Sequence, residues 1–127
     1  MSENTEGQVN VLVPLADGWE EIETVSIIDL LRREKAKVTV ASIMGKNNGL
    51  TVTSQQNMKF EADAHFEDIE NENFDLIVSS GGLKNATLQG SYKPLIEKYR
   101  AQRDSGKLFG AICASPKKIF DENKLID

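Results

Sequence analysis

Short apolar runs rich in β-branched residues alternate along this chain with stretches whose apolar positions recur at helical spacing. The first run is Val9-Asn10-Val11-Leu12-Val13-Pro14-Leu15, followed by an Asp17-Gly18 turn and a helical stretch over 19–34. Lys37-Val38-Thr39-Val40-Ala41 is a second β-run, and 45–49 is a turn cluster of Gly, Lys and Asn. Residues 50–53 and 58–61 can pair as a small hairpin. A further run, Leu76-Ile77-Val78, ends in Ser79-Ser80-Gly81-Gly82, and 92–103 carries Tyr92, Leu95, Ile96 and Tyr99 at helical spacing. The last run, Leu108-Phe109-Gly110-Ala111-Ile112, ends at Cys113. Ser115-Pro116 then opens a closing helix, with a capping residue and a proline at its first position. Strands alternating with helices predict an α/β fold, a doubly wound and mostly parallel sheet with helices on both faces. Internal repeats and low-complexity segments are absent.

Composition narrows this to one domain over 9–127, preceded by a frayed, polar and acidic tail over 1–8. The 127 residues, 39% of them hydrophobic and 28% charged, leave no room for a second core. A chain of this size buries roughly two thirds of the surface it exposes when unfolded, enough to fold without disulfides or metals. The single Cys agrees, because it cannot form an intramolecular bridge and suits a reducing compartment. A net charge of −5 provides no general basic field for phosphate backbones or anionic lipid, so neither nucleic acid nor membrane is an expected partner. The N-terminus shows neither a signal-peptide nor a transit pattern, and no apolar run approaches the roughly 18 residues of a spanning helix. The expected location is the cytosol.

Ligand sites in open α/β sheets collect at the carboxyl ends of strands, which singles out the Asp17-Gly18 turn, the Gly81-Gly82 turn and Cys113. Cys113 lies between a strand and a helix start, where a helix N-terminus favours negative charge on a thiol. Its small neighbours Ala111, Ala114 and Ser115 permit the sharp turn of a nucleophile elbow. A buried structural Cys is the competing reading, since free Cys is often a small core residue. On a helical wheel Glu23 falls among Trp19, Ile27, Leu30 and Leu31, an arc expected to face the core. A carboxyl group there loses solvation and can keep a proton or share one with a thiolate. Glu20 and Glu21 read as first-turn acids that complement the helix dipole, and Asp17 as the N-cap. The Gly81-Gly82 pair allows main-chain N–H groups to face a cleft, although such pairs also mark ordinary turns. His65, the single histidine, reads as an exposed loop residue in the polar segment 63–68. Metal-ligand spacing and phosphate-binding glycine motifs are both lacking.

Four segments in order carry a resemblance: Ala16-Asp17-Gly18-Trp19-Glu20-Glu21-Ile22-Glu23-Thr24, the run 37–41, the Gly81-Gly82 turn, and Ala111-Ile112-Cys113-Ala114-Ser115-Pro116. Together they resemble the ThiJ/PfpI family, within it the DJ-one branch, from Val9 onward. The resemblance implies a flavodoxin-like sandwich, usually a homodimer assembled through the first helix, with no metal or organic cofactor. It implies that Cys113 is the reactive thiol, that Glu23 is its carboxylate partner, and that the amides of Gly82 and Ala114, beside Gly81, hold an oxyanion. The activities it implies are glutathione-independent glyoxalase and deglycase chemistry on 2-oxoaldehydes such as methylglyoxal or their early adducts. Oxidative-stress sensing through the same thiol is the alternative, and an inactive shortened form a third. The chain departs from the family pattern at Ser80, where proline is common, and at Gln55, the nearest match to a hairpin arginine. Family members also continue for about another third of their length, in which the histidine near the cysteine lies, so His65 is not that residue.

Overall fold

The computed structural model describes residues 7–127; the predicted tail lies, over 1–6, outside the described residues. Gln8 is already tied down, its Nε2 donating to the carbonyl of Lys35 at 3.0 Å. From there the chain forms β1 (Asn10–Leu15), α1 (Glu21–Arg33), β2 (Lys37–Ser42) and a short 3₁₀ turn (Lys46–Asn48). The hairpin strands β3 (Thr51–Thr53) and β4 (Lys59–Glu61) follow, then β5 (Ala64–His65) and α2 (Phe66–Ile69). The second half contains β6 (Leu76–Ser79), α3 (Leu83–Gly90), α4 (Lys93–Asp104), β7 (Leu108–Ala111) and a closing helix (Pro116–Asp121).

Five strands make one parallel sheet in the order β5-β2-β1-β6-β7, and β3 pairs with β4 antiparallel beside it. Side chains alternate across β1, so its apolar run feeds two cores. Val11, Val13 and Leu15 pack with Trp19, Ile28, Val38, Val40, Val52 and Ala62 under α1 and the hairpin. Leu12 faces the other way, into a core with Ile77, the α4 residues Leu95, Ile96 and Tyr99, and Ile119 and Phe120 of the closing helix. Edge-on aromatic contacts, Tyr99 to Phe120 at 4.9 Å and Phe109 to Phe120 at 5.2 Å, join α4, β7 and the closing helix. The chain runs outward from β1 to β2 and β5, but from β6 to β7 in the opposite direction. Strand order therefore reverses between β1 and β6, and this switch point is where the loops leaving the two strands meet at their carboxyl ends.

Several local expectations are corrected. Asp17 does not cap α1; its Oδ1 accepts from Thr53 N at 3.0 Å, and Glu20 is the N-cap, its carboxylate accepting from Ile22 N and Glu23 N at 3.0 Å each. Trp19 accordingly precedes the helix, and a wheel that counted it is out of phase by roughly 70° at 100° per residue. The buried stripe is Thr24 and Ile28, flanked by Ile27 and Leu31, while Leu30 is exposed along with Ile22 and Val25. Helix α3 has no counterpart in the apolar pattern because the residues it buries are Asn85, Ala86 and Gln89. Ser115 is no cap either: it has helical torsions, and its hydroxyl donates elsewhere. The closing helix is of π type, with Glu122 N bonded to Lys117 O and Leu125 N to Phe120 O, five residues apart. His65 is a half-buried residue of the edge strand β5, not an exposed loop residue.

The seat of the closing helix can be tested with two glycines. A methyl group at Gly90 would overlap the carbonyl of Lys118, whereas one at Gly110 meets nothing within 4 Å. Gly90→Ala is expected to destabilise the fold by about 1–3 kcal/mol through overpacking, and Gly110→Ala to stay within about 0.5 kcal/mol of the parent, as surface substitutions usually do. Urea midpoints at unchanged slope measure both, and equal midpoints for the two variants would contradict the packing.

Candidate active site

Three segments meet at the carboxyl end of the switch point: the β1–α1 loop, the turn after β6, and the elbow after β7. The hairpin clamps the first of them. Gly18 N donates to Thr53 O at 2.7 Å, Gln55 N to Trp19 O at 3.0 Å, and the Trp19 indole to Val52 O at 3.1 Å. Gln55, at the hairpin tip, is exposed and contributes its backbone to this clamp. The start of α1 is then bound to the β6 turn, because Glu20 N donates to Gly81 O at 3.1 Å.

Cys113 follows β7 with φ of 61°, a left-handed conformation that costs a non-glycine residue about 1–3 kcal/mol when held by its surroundings. Here the surroundings hold it on both sides. Ile112 N donates to Ser79 O at 3.2 Å, Ser115 N to Ile112 O at 3.2 Å, and the buried Ser115 hydroxyl to Ser80 O at 2.6 Å. The elbow read from the small residues around Cys113 is thus present, and the thiol is exposed rather than packed in the core.

Glu23 is half-buried on the first turn of α1, and its Oε1 accepts from Gly81 N at 2.8 Å. A side chain on Gly81 would strike two groups at once, the Glu23 carboxylate and, at 2.6 Å, the Cys113 Cβ. The carboxylate and the cysteine therefore flank one point, the space left empty by a glycine. Gly82, with φ of 95°, presses equally closely on the carbonyl of Gly18. Among the described residues no acceptor pairs with the N–H of Gly82 or of Ala114. Glu20 and Glu21 stand outside this group. Glu20 caps the helix, while Glu21 accepts from Gln56 N at 2.7 Å, and hydrogen bonding to the hairpin, Ser54 foremost, holds its carboxyl below the usual range.

His65 sits on β5, at the sheet edge opposite β7, so topology separates it from the elbow; its Nδ1 is buried with no hydrogen-bond partner among the described residues. Ser80, fully buried, receives the Thr24 hydroxyl on its own at 2.7 Å, a bond that a proline there could not make. Sequence reasoning missed Asn85, Gln89 and Ser79, whose buried side chains lie beneath the β6 turn. Among the described residues no group of three or more His, Cys, Asp or Glu could hold a metal ion, and no helix is long and apolar enough to cross a membrane.

The chain is 42% identical over 121 residues to protein DJ-1 homolog B of Arabidopsis thaliana, covering 95% of this chain and 27% of that one. It is 36% identical over 107 residues to protein dj-1beta of Drosophila melanogaster, 84% of this chain and 56% of the relative. The oxidized structure of Toxoplasma gondii DJ-1 superposes with a TM-score of 0.87 at 38% identity, covering 92% of this chain and 62% of that one. The chain thus spans about a quarter to three fifths of the length of these relatives. The model of the DJ-1/PfpI family matches residues 9–126, and with it the strand order, the elbow and the glycine seat come together in one assignment: the chain belongs to the DJ-1/PfpI family.

Proposed function

We propose that Cys113 and Glu23 form a thiol site that converts small 2-oxoaldehydes such as methylglyoxal into 2-hydroxy acids, or acts on their early glycation adducts, without glutathione or a cofactor. The observation that carries the reading is the seat at Gly81, where the Glu23 carboxylate and the Cys113 Cβ crowd the same empty position. The Cys113 thiolate adds to the aldehyde carbon, forming an S–C bond, and the carbonyl oxygen becomes the alkoxide of a hemithioacetal. The unpaired amides of Gly82 and Ala114 are the donors for that oxyanion. Glu23 takes the proton from the former aldehyde carbon and returns it to the neighbouring carbon, leaving a thioester of the hydroxy acid. Water then cleaves the C–S bond and releases the acid and the free thiol.

A second reading is favoured by the exposure of Cys113, the only thiol of the chain. In this reading peroxide is the co-reactant. The thiolate attacks one oxygen, an S–O bond forms as the O–O bond breaks, and the products are sulfenic acid and hydroxide. Glu23 then stabilises the oxidised sulfur, and the protein works as a sensor. Turnover separates the two readings, since a sensor reacts once and an enzyme repeatedly.

We also propose a homodimer formed through α1, supported by Ile22, Val25 and Leu30, which are 78%, 50% and 62% exposed on one side of that helix. Light scattering is expected to give twice the chain mass, and Val25→Glu to shift it to one chain. A wild-type monomer at tens of micromolar would remove the proposal.

Methylglyoxal assays without glutathione test the enzyme reading. Lactate formation is expected to fall to the blank in Cys113→Ala and Cys113→Ser, and by at least about 100-fold in Glu23→Ala, the range for a lost proton-transfer group. Gly81→Ala, which drives a methyl group between carboxylate and cysteine, is expected to cost a similar factor, as displacements of about 1 Å can. Lactate formed by Cys113→Ala as fast as by the parent would exclude the thiol as nucleophile. A single oxygen addition at Cys113 with peroxide, and no lactate, would leave the sensor.

A further inference from the structure

Two of the N–H groups that this site depends on, those of Gly81 and Gly82, belong to consecutive peptides, 80–81 and 81–82, and both peptides are held from behind by one side chain. Asn85 Nδ2 donates to Ser80 O at 3.2 Å and to Gly81 O at 2.9 Å. In a planar trans peptide the N–H points opposite to its C=O. Two carbonyls that converge on Asn85 therefore turn the N–H groups of Gly81 and Gly82 away from it. The first of these meets Glu23 Oε1, and the second has no acceptor among the described residues.

The orientation of Asn85 is itself determined. Its Oδ1 accepts from Ala16 N at 2.9 Å, a backbone group that can only donate, so the amide side chain has one orientation that satisfies its neighbours. The same Oδ1 accepts from Gln89 Nε2 at 2.8 Å, and that nitrogen also reaches Pro14 O at 3.1 Å. Gln89 Oε1 accepts the Ser79 hydroxyl at 2.6 Å. Ser79 has then spent its one proton, so the Tyr99 hydroxyl, 2.5 Å away, is the donor to Ser79. Burial raises the Tyr99 titration far above its ordinary value, which keeps that donor protonated. Donors thus run in one direction, from Tyr99 through Ser79, Gln89 and Asn85 to the Ser80 and Gly81 carbonyls. Tyr99, Ser79, Gln89 and Asn85 are all fully buried.

We infer that Asn85, backed by Gln89, Ser79 and Tyr99, is the positioning residue of the thiol site, setting the direction of the Gly81 and Gly82 N–H groups. The consequence for chemistry rests on the reading of Cys113 and Glu23 proposed above; the consequence for the two amides does not. Asn85→Asp is the sharpest probe, because it keeps the shape and the acceptor for Ala16 and Gln89 while replacing both donors by an oxygen that repels the two carbonyls.

In protein labelled with ¹⁵N-glycine, the Gly81 and Gly82 amide signals are expected to move in Asn85→Asp and the Gly81 amide to exchange at least about tenfold faster, while Gly49 and Gly110 keep their shifts. With methylglyoxal, kcat is expected to fall about 100-fold, the usual loss when an oxyanion donor is misaligned, with KM changed less than about twofold. Alkylation of Cys113 by iodoacetamide, which develops no oxyanion, is expected to stay within about threefold. Gln89→Met, one bond further from the turn, is expected to give the same pattern at smaller amplitude, and it carries the test if Asn85→Asp does not fold. Unmoved Gly81 and Gly82 signals in a folded variant would overturn the inference, as would equal changes at Gly49 and Gly110. If wild-type protein forms no more lactate than Cys113→Ala, the thiol reading fails by itself, and the glycine signals still decide the role of Asn85.

Discussion

The carbonyls of Ser80 and Gly81 are the fixed points on which the carboxyl end of the central sheet closes. They end a strand from the middle of the sheet, where water does not reach, and a buried carbonyl left unpaired costs about 1–3 kcal/mol. Each takes two donors. Ser80 O receives Asn85 Nδ2 and the Ser115 hydroxyl, and Gly81 O receives Asn85 Nδ2 and Glu20 N. Satisfying these two groups thus ties α3, the elbow after β7 and the start of α1 to one turn. Glu23 and Cys113 are brought together as a consequence of that accounting.

Glycine at 81 and 82 follows from the same closeness. With neighbours pulled onto the turn from both sides, a Cβ at either position would overlap the Glu23 carboxylate and Cys113, or the Gly18 carbonyl. Cys113 has the opposite circumstance: it carries a side chain in a conformation suited to glycine, and the three hydrogen bonds around the elbow offset that strain. The strained torsion holds Cys113 out of the core beside the empty position at Gly81. The sulfur stays accessible because the turn, and not its own packing, determines where it stands.

What the sequence disclosed and what it hid divide along a physical line. Strands buried on both faces must be apolar throughout, so β1, β2 and β6 stood out as runs; β7 read as a run from its apolar residues although it is an exposed to half-buried edge strand, and the order of the four with the intervening helices was enough to predict the parallel sheet. The Gly pair and Cys113 were legible because their residue types are uncommon at strand ends without a backbone reason. Helix α3 was hidden because its buried face is Asn85, Ala86 and Gln89; amides at i and i+4 look like a solvated surface unless the carbonyls they serve are known. Glu23 was selected from a wheel that included Trp19. The true buried stripe is Thr24 and Ile28, so Glu23 stands at its border and not in its middle, half-buried where its carboxylate reaches Gly81 N. Ser115 matched a capping position, yet a hydroxyl next to a buried unpaired carbonyl goes to the carbonyl, and no sequence pattern announces Ser80 O as its partner.

The polar interior is also uniform in charge. Among the described residues the buried polar ones are Ser, Thr, Asn and Gln, with no Asp, Glu, Lys or Arg. A buried ion pair would bring a desolvation penalty of several kcal/mol per ion and would bias the charge of anything nearby. A relay of neutral hydrogen bonds does neither; it imposes direction, and because its donors all point the same way each bond polarises the next. The network beneath the turn therefore orients two peptide N–H groups without adding net charge beside the cysteine. At the glycine seat itself the carboxyl side chain is that of Glu23, which accepts from Gly81 N beside the peptide dipoles that Asn85 aligns.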